Sequence, residues 1–304
     1  MILIGDSKSP ADFSLDGCSF YSLEDQKKLD FITARMSPER HYARKNIGYL
    51  LAMAEGAEII IETDDDNLPL PDFWKGRHRM IDAQTIEQGG WVNIYRYFSD
   101  ANIWPRGLPL DRVQSLLPER SVLPLRLMDC PIQQGLADDN PDVDAIYRLL
   151  LPLPIRFRQE PSVVVSKGSW CPFNSQNTTW FRDAFPAMYL PAFCSFRMTD
   201  IWRGFLAQRL AWENGWGLLF HSATVWQDRN VHNLMRDFEQ EIPGYLHNAA
   251  IVENLADLIL RPRKENLLDN LMICYEKMVA MNWIPKDELD LVRAWMKDVE
   301  QIKL

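Results

Sequence analysis

The feature that most constrains the fold is an apolar, β-branched run that ends in three consecutive carboxylates. In the segment "EIIIETDDDNLPLPDFW" (58–74), three isoleucines precede Asp64, Asp65 and Asp66. Such an isoleucine run favours a buried β-strand. Neighbouring carboxylates repel one another, so the end of this strand must face either solvent or a bound cation. The chain is therefore expected to build a sheet with an acidic loop at one end of a strand.

Two earlier segments place this strand in an α/β fold. "MILIGDSKSP" predicts a short buried strand broken at Gly5, and "HYARKNIGYLLAMAEGA" predicts a helix ended by Gly56. Strand, helix, strand and acidic loop follow one another as a βαβ pattern. Open α/β sheets bind their ligands at the carboxyl ends of strands. The acidic loop thus lies where a ligand is expected.

Later segments extend the α/β pattern and then change character. "TDIWRGFLAQRLAWENGWG" (199–217) predicts a helix capped by Thr199, with Asp200 in its first turn. The strand "GLLFHSATVW" comes next. After about Pro243 all apolar periodicity is helical. These helices could cover the sheet, form a homo-oligomer or belong to a larger polypeptide.

Composition excludes several classes of protein. The net charge of −9 argues against a general nucleic-acid or anionic-membrane surface, since both need basic patches. The five cysteines include no CxxC pair, which argues against a zinc site or a disulfide framework. No apolar run approaches the ~18 residues of a membrane span, and Met1 leads into "ILIGDS" without the basic and apolar regions typical of a leader. We expect a cytoplasmic protein without an integral membrane segment.

The acidic triplet has two interpretations, a solvated turn or a cation site. In an extended chain Asp64 and Asp66 point to the same side and Asp65 to the other. Asp64 and Asp66 can therefore share a hard divalent cation, Mg²⁺ or Mn²⁺, which would bridge to a substrate diphosphate.

Other candidate residues also carry alternatives. Arg44 and Lys45 lie near the start of a helix, where an anion is favoured. They either contact such an anion or are surface cations. Asp6 either accepts from a base or ribose or ends the first strand. A carboxylate at a helix N-terminus is stabilised by a cap-type interaction, and this structural role is sufficient to explain the presence of Asp200. The lone histidines His221 and His232 are compatible with structural roles.

The ordered set of segments closely resembles the STELLO-type glycosyltransferase family, from "GDSKSP" and "YARKNIGYLLAMAEGAEIIIETDDDNLP" through "PFNSQNTTWF", "TDIWRGFLAQRLAW" and "HSATVWQDRNVHNL". It is more distantly similar to the reversibly glycosylated polypeptides, the UDP-arabinopyranose mutases. The resemblance covers roughly residues 2–248. It implies a GT-A-like fold, that is, a Rossmann-like mixed sheet flanked by helices, here with a C-terminal helical appendage.

The resemblance also implies roles for individual residues. Asp200 would be the general base, and Asp64, Asp66 and His221 would hold Mn²⁺ or Mg²⁺. His232 is an alternative metal or diphosphate contact. The residues expected to face the nucleotide are Asp6, Arg44, Lys45, Asp64 and Asp65. Those expected to bind the acceptor are Asn174, Gln176, Asn177 and Trp202.

The domain prediction follows from the same resemblance. A glycosyltransferase domain spans 1–245, with a nucleotide-sugar-binding half at 1–130 and an acceptor half at 131–245. The helical appendage spans 246–304.

The function predicted from the sequence is a metal-dependent, inverting glycosyltransferase of polysaccharide biosynthesis. It would move a sugar from a nucleotide-sugar, a UDP-sugar in the first instance, to a hydroxyl of a sugar or glycan acceptor. The alternatives are a nucleotide-sugar mutase, a retaining transferase and a non-catalytic scaffold of a glycan-synthesis complex.

Overall fold

The structure, a computed structural model, describes residues 1–10, 12–230 and 232–302. In these ranges the chain forms both strands and helices up to residue 227, and then helices alone. The helices are α1 (Leu23–Lys28), α2 (Ile32–Met36), α3 (Lys45–Ala54), α4 (Ala145–Leu150), α5 (Thr199–Trp212), α6 (Leu234–Ala256), α7 (Leu267–Ala280) and α8 (Glu288–Ile302). The strands are β1 (Ile2–Ile4), β2 (Ser19–Tyr21), β3 (Ile59–Thr63), β4 (Asn67–Pro69), β5 (Met80–Ile86), β6 (Gly90–Trp91), β7 (Leu125–Asp129), β8 (Ile132–Asp138), β9 (Val163–Val165), β10 (Ser169–Trp170), β11 (Asn177–Phe181) and β12 (Leu218–Gln227).

A mixed sheet forms the centre of the molecule. Its strand order is β3-β11-β8-β12-β9-β5-β7, and β4 pairs with the end of β12. The β8–β12 and β9–β5 pairs are parallel, and the other pairs are antiparallel. The predicted α/β class, with a mixed sheet flanked by helices, is confirmed, and it is consistent with a GT-A-like fold.

The acidic loop crosses one end of this sheet. Strand β3 lies at the sheet edge, whereas β4, only three residues later, pairs with β12 near the centre. The connection, Asp64 to Asp66, must therefore run across the intervening strands at their ends. The predicted position of the triplet, directly after a strand, is confirmed.

The prediction of a βαβ unit is wrong in one respect. Strand β1 pairs with β2 in a separate two-stranded parallel sheet, and β3 pairs antiparallel with β11. Helix α3 still packs on β1, close enough that a Cβ on Gly48 would lie 3.0 Å from Ile4 Cγ1. A three-residue strand that ends at Gly5 offers β3 too few backbone partners, whereas β11 matches all five of its residues.

Helix α5 is buried along its whole length and forms the centre of the helical layer. The predicted cap at Thr199 is wrong, because Thr199 is the first helical residue and Met198 precedes it. A 3-10 turn at Phe196–Met198 leads directly into the helix, so the backbone of Thr199 is already helical. A side-chain cap needs an extended residue at that point. Asp200 does lie in the first turn, as predicted.

The C-terminal helices share the main core with the sheet. Leu271, Met278 and Trp295 belong to the same apolar cluster as Phe205 of α5. Helix α6 runs from Leu234 to Ala256, across the predicted boundary at residue 245. The division into a domain and an appendage stays a prediction. Within the described part of the chain, no helix is both long enough and apolar enough to cross a bilayer.

Candidate functional site

The acidic loop forms one wall of a cleft at the end of the sheet. The backbone N–H of Asp228, just after β12, donates to Asp66 O (2.9 Å) and ties the loop down. The Asp66 carboxylate accepts from Gln227 Nε2 at 3.0 Å on each oxygen. Burial raises the pKa of Asp66, and the like charges of Asp64 and Asp65 raise it further. The loop thus concentrates negative charge that its own hydrogen bonds only partly offset.

Asp64 and Asp65 differ in their surroundings. Asp64 Oδ1 accepts from Tyr42 Oη (2.7 Å) and from Lys45 Nζ (2.8 Å). Asp65 is exposed and lines the same cleft. Of the three carboxylates, Asp64 is therefore the one with a counter-ion in the described chain.

A second wall is built on an arginine between two aspartates. The guanidinium of Arg106 pairs with Asp142 at 2.8 Å through both Nε and Nη2. Its two terminal nitrogens also donate to Asp200, at 3.0 and 2.9 Å. All three side chains are at least nine-tenths buried. Buried charges at this density need such paired geometry, because each alone would carry a large desolvation cost.

Asp200 is held as a carboxylate by this arrangement. Burial alone would raise its pKa, but the charge and hydrogen bonds of Arg106 lower the pKa to about 2. The Ser175 N–H donates to Asp200 Oδ2 at 3.3 Å, and Ser175 Oγ lies 3.4 Å from the same oxygen. These two contacts are long for hydrogen bonds. Oδ2 is therefore the oxygen at which a further donor can compete.

Arg106→Lys is expected to lower the free energy of unfolding at pH 7 by about 1–2 kcal/mol, because lysine cannot reproduce the paired fork geometry. The depressed pKa of Asp200 contributes stability that is fully present above its unfolded value of 3.8 and is lost as the pH falls towards about 2. The deficit of the variant should therefore shrink below pH 4. Urea unfolding at pH 7 and pH 3 measures this, and an equal deficit at both pH values would contradict it.

A third wall carries cations that α6 holds in place. Arg197 pairs with Glu241 through Nε (3.0 Å) and Nη2 (2.9 Å). Asp237 accepts from Arg229 at 3.3 Å and lies 3.1 Å from His232 Nδ1. Burial lowers the pKa of His232, and the charge of Arg229 lowers it further. Glu241 and Asp237, both on α6, thus hold these basic side chains in the wall of the cleft.

The three walls enclose about 890 Å³ of space, the opening to solvent included. The cavity itself has a volume of about 280 Å³, near the lower end of the ~300–1,000 Å³ of small-molecule binding clefts. The lining residues are Tyr42, Asp64, Asp65, Asp66, Arg106, Asp142, Gln176, Phe196, Arg197, Asp200, Gln227, Arg229, Asn230 and His232.

Three predicted nucleotide contacts lie outside this lining: Lys45, which pairs with Asp64, and also Arg44 and Asp6. Arg44 is buried, and its guanidinium donates to Gln26 Oε1 (Nε at 2.9 Å) and to Ser37 O (3.0 Å). Asp6 Oδ2 accepts from the His41 N–H at 3.1 Å. The Arg44 and Asp6 side chains are occupied by contacts that hold the β1–β2 region together.

His221 is also placed away from the cleft lining. Its ring lies against Gly135, where an added Cβ would fall 2.6 Å from His221 Cε1. Burial lowers the pKa of His221 to about 4. The structure does not bring His221 to Asp64 and Asp66, and His232 is the histidine that lines the cleft.

Of the four predicted acceptor contacts, Gln176 lines the cleft. Asn174 Oδ1 accepts from the Gln176 N–H at 2.9 Å and so shapes this turn. Asn177 Nδ2 donates to Leu136 O and to Thr224 Oγ1 inside the sheet. Trp202 is buried in α5, and its Nε1 donates to Asn248 Oδ1. Asn177 and Trp202 thus have structural partners.

The residues that sequence reasoning missed are mainly the arginines Arg106, Arg197 and Arg229, together with Asp142. They lie in irregular segments or next to a helix, without periodicity of their own. The structure shows why Arg106 lies here: Gly107 after it has φ of 91°, and a Cβ there would lie 2.5 Å from Ile201 Cγ2. The backbone approaches α5 so closely here that position 107 requires a glycine, and this approach brings the neighbouring Arg106 beside Asp200.

The donor atoms around the acidic loop suit a hard cation. No three His, Cys, Asp or Glu side chains within residues 1–10, 12–230 and 232–302 form a complete metal site. Mg²⁺, however, is usually held by one or two carboxylates, with waters and substrate phosphates supplying the rest. Gln227 is only 7% exposed and lines the cleft, and its Oε1 is buried without a hydrogen-bond partner. A buried amide oxygen that has no hydrogen-bond partner and lies beside Asp66 is a suitable ligand for a cation at this point.

Comparison with known proteins agrees with this architecture. Residues 197–304 match the family model described as STELLO glycosyltransferases. The chain is 28% identical over 321 residues to "Probable glycosyltransferase STELLO2" of Arabidopsis thaliana, covering 98% of this chain and 41% of that protein. It is 27% identical over 319 residues to "Probable glycosyltransferase STELLO1" of the same plant, with the same coverage. The chain therefore spans about two fifths of the length of these relatives.

The predicted resemblance to the STELLO family is confirmed by both comparisons. The family model and the two relatives are all named as glycosyltransferases, which supports the predicted enzyme class.

Proposed function

We propose that this chain is a metal-dependent, inverting glycosyltransferase that takes a sugar from a nucleoside diphosphate sugar and passes it to a hydroxyl of a glycan acceptor. One observation carries the proposal, a hydrogen-bonded connection between the acidic loop and Asp200. Tyr42 Oη donates to Asp64 Oδ1 (2.7 Å) and contacts Ser175 Oγ, and the Ser175 N–H donates to Asp200 (3.3 Å). A donor site and a candidate base thus lie side by side in one cleft.

The donor side is assigned to the acidic loop. Asp66 and Asp64, with Gln227 Oε1, would hold Mn²⁺ or Mg²⁺ and leave further positions for diphosphate oxygens. The cation would supply charge stabilisation to the departing nucleoside diphosphate. Asp65, exposed beside them, is free to contact the nucleotide.

Arg229 and His232 are assigned to the diphosphate. Both line the same cleft as the acidic loop, and both contact Asp237 of α6. A diphosphate would neutralise the charge of Arg229, while the metal ion would neutralise the charge of the acidic loop. His232 thus takes the diphosphate contact that the sequence analysis gave it as an alternative. His221, predicted as a metal ligand, receives no role in the cleft, because its ring does not line it.

Asp200 is assigned as the base for the acceptor hydroxyl. It is ionised well below neutral pH, so it is ready to accept a proton when the acceptor arrives. The hydroxyl would displace the long Ser175 contacts at Oδ2. Because the pKa is low, the proton moves only as the acceptor oxygen forms its new bond and becomes acidic. Direct displacement of this kind inverts the sugar carbon.

The test is a calorimetric titration of UDP, GDP and CDP, with and without Mn²⁺, into the wild type and Asp66→Ala. One nucleotide, UDP in the first instance, should bind only with Mn²⁺, and Asp66→Ala should weaken it by at least about tenfold, or ~1.4 kcal/mol. The matched control is Asp72→Ala, since Asp72 is 49% exposed and its ion pair in the described part of the chain is with its neighbour Lys75. It should bind as the wild type does.

If no nucleotide binds under any metal condition, the transferase proposal is wrong and the scaffold alternative takes its place. If a UDP-sugar is isomerised when no acceptor is added, the mutase alternative is correct.

A further inference from the structure

Lys45 reaches from the start of α3 to the acidic loop. Its Nζ donates to Asp64 Oδ1 (2.8 Å), Tyr42 Oη (2.9 Å) and Ser175 O (3.3 Å). An ammonium has three N–H donors, so all three are used. The Lys45 and Asp64 side chains are only 22% and 28% exposed, which reduces screening by solvent.

Lys45 is also the one cation that pairs with the triplet in the described part of the chain. The ion pairs there include Asp64 with Lys45 and none for Asp65 or Asp66. The lysine therefore takes the carboxylate oxygen next to which a divalent cation would bind. The Lys45 ammonium and a divalent cation bound to the same carboxylate would repel each other strongly in this partly buried site.

We propose that Lys45 is an internal counter-cation that occupies Asp64 in the metal-free protein and gives up this carboxylate when a divalent cation binds. The inference rests on the proposed cation site. It explains how three adjacent aspartates keep their place without metal, since Lys45 links the loop to Tyr42 and Ser175.

The exchange has a consequence for the order of binding. A cation alone must displace the ammonium, which lowers its affinity. A diphosphate that arrives with the cation offers the released ammonium new oxygen partners. Cation and nucleoside diphosphate therefore bind cooperatively, and the coupling is reciprocal.

The experiment titrates Mn²⁺ alone into the wild type, Lys45→Met and Lys45→Arg, with free Mn²⁺ followed by electron paramagnetic resonance. Lys45→Met should bind Mn²⁺ about tenfold more tightly, since it removes the repulsive charge and keeps the length of the side chain. Lys45→Arg retains the charge and should bind as the wild type does. Thermal unfolding first shows that each variant folds, and Lys45→Gln replaces Lys45→Met if the latter does not.

The outcomes separate this inference from the proposed function. Equal Mn²⁺ affinity in all variants, or weaker binding in Lys45→Met, overturns the counter-cation role and leaves the cation site standing. Absence of Mn²⁺ binding in every variant, with or without UDP, overturns the cation site itself and the inference with it.

Discussion

Replacing Arg203 with methionine should lower the free energy of unfolding by about 3–5 kcal/mol, because it leaves Glu62 as an unpaired charge in the core. The Arg203 and Glu62 side chains are 1% and 0% exposed, and Arg203 Nη2 lies 2.8 Å from Glu62 Oε1. Glu62 also accepts from Trp180 Nε1 (2.8 Å) and from Tyr49 Oη. Neutral donors alone cannot replace the lost positive charge.

Aromatic rings add to the cost of this change. The Arg203 guanidinium carbon lies 4.8 Å from the centre of the Trp180 ring and 5.6 Å from that of Phe173. Methionine keeps apolar contact with these rings but loses the cation–π attraction. Arg203 also donates to Asn174 O (3.3 Å), so the change should loosen the turn beside Asp200.

Urea unfolding of the wild type and Arg203→Met measures the effect. The matched control is the double variant Arg203→Met with Glu62→Gln, which removes both charges. It should recover part of the lost stability, because a neutral amide is far less costly to bury than an unpaired carboxylate. A single variant that loses less than about 1 kcal/mol would show that Glu62 is relieved in another way.

The Arg203–Glu62 pair matters for the site because of what it joins. Glu62 belongs to β3, two residues before the acidic loop, and Arg203 belongs to α5, one turn after Asp200. The pair therefore fixes the distance between the two walls of the cleft. Because the pair is buried, its two side chains are held in one geometry. A solvent-exposed ion pair would hold β3 and α5 together less precisely.

What could be predicted from the sequence was local in origin. The capping box of Ser22 and Asp25 at α1 is local in this sense, because both partners lie within one turn. The triplet after β3 and the place of Asp200 in the first turn of α5 were also predicted, since each depends on neighbouring residues. The strand Leu218–Gln227 was predicted over 217–226, within one residue of its observed bounds.

What could not be predicted depends on distant contacts. Arg106 meets Asp142 and Asp200, which are 36 and 94 positions away. Periodicity contains no information about such pairs. The pairing of β3 with β11, rather than with β1, is likewise decided by tertiary packing.

A chain that ends at Ala256 should fail to reach the native state, because it loses α7 and α8. Leu271, Met278 and Trp295 of these helices are at most 2% exposed and pack in the main core. Burying a large apolar side chain contributes roughly 1.5–3 kcal/mol, so these three alone rival the ~5–15 kcal/mol stability of a typical domain. Far-UV circular dichroism and urea unfolding should show no cooperative transition.

Two buried carboxylates of α8 explain why the loss would reach the site as well. Asp298 accepts from the N–H groups of Ile32 (2.9 Å) and Thr33 (2.7 Å) at the start of α2. Glu288 accepts from the N–H of Phe193 (2.7 Å), three residues before Phe196 in the cleft wall. Without α8 these backbone donors lose their partners, and the segment that presents Phe196 loses its anchor.

The variant Glu288→Gln of the full chain tests the contact with Phe193 separately from the loss of α7 and α8. It keeps an acceptor oxygen for the Phe193 N–H and all apolar contacts of α8, so the protein should stay folded, with a loss of about 1 kcal/mol. Burial raises the pKa of Glu288, so the neutral amide also avoids a desolvation cost. If the chain that ends at Ala256 unfolds cooperatively and still binds a nucleotide with Mn²⁺, then residues 257–304 are separable and the core that they share contributes little to the cleft.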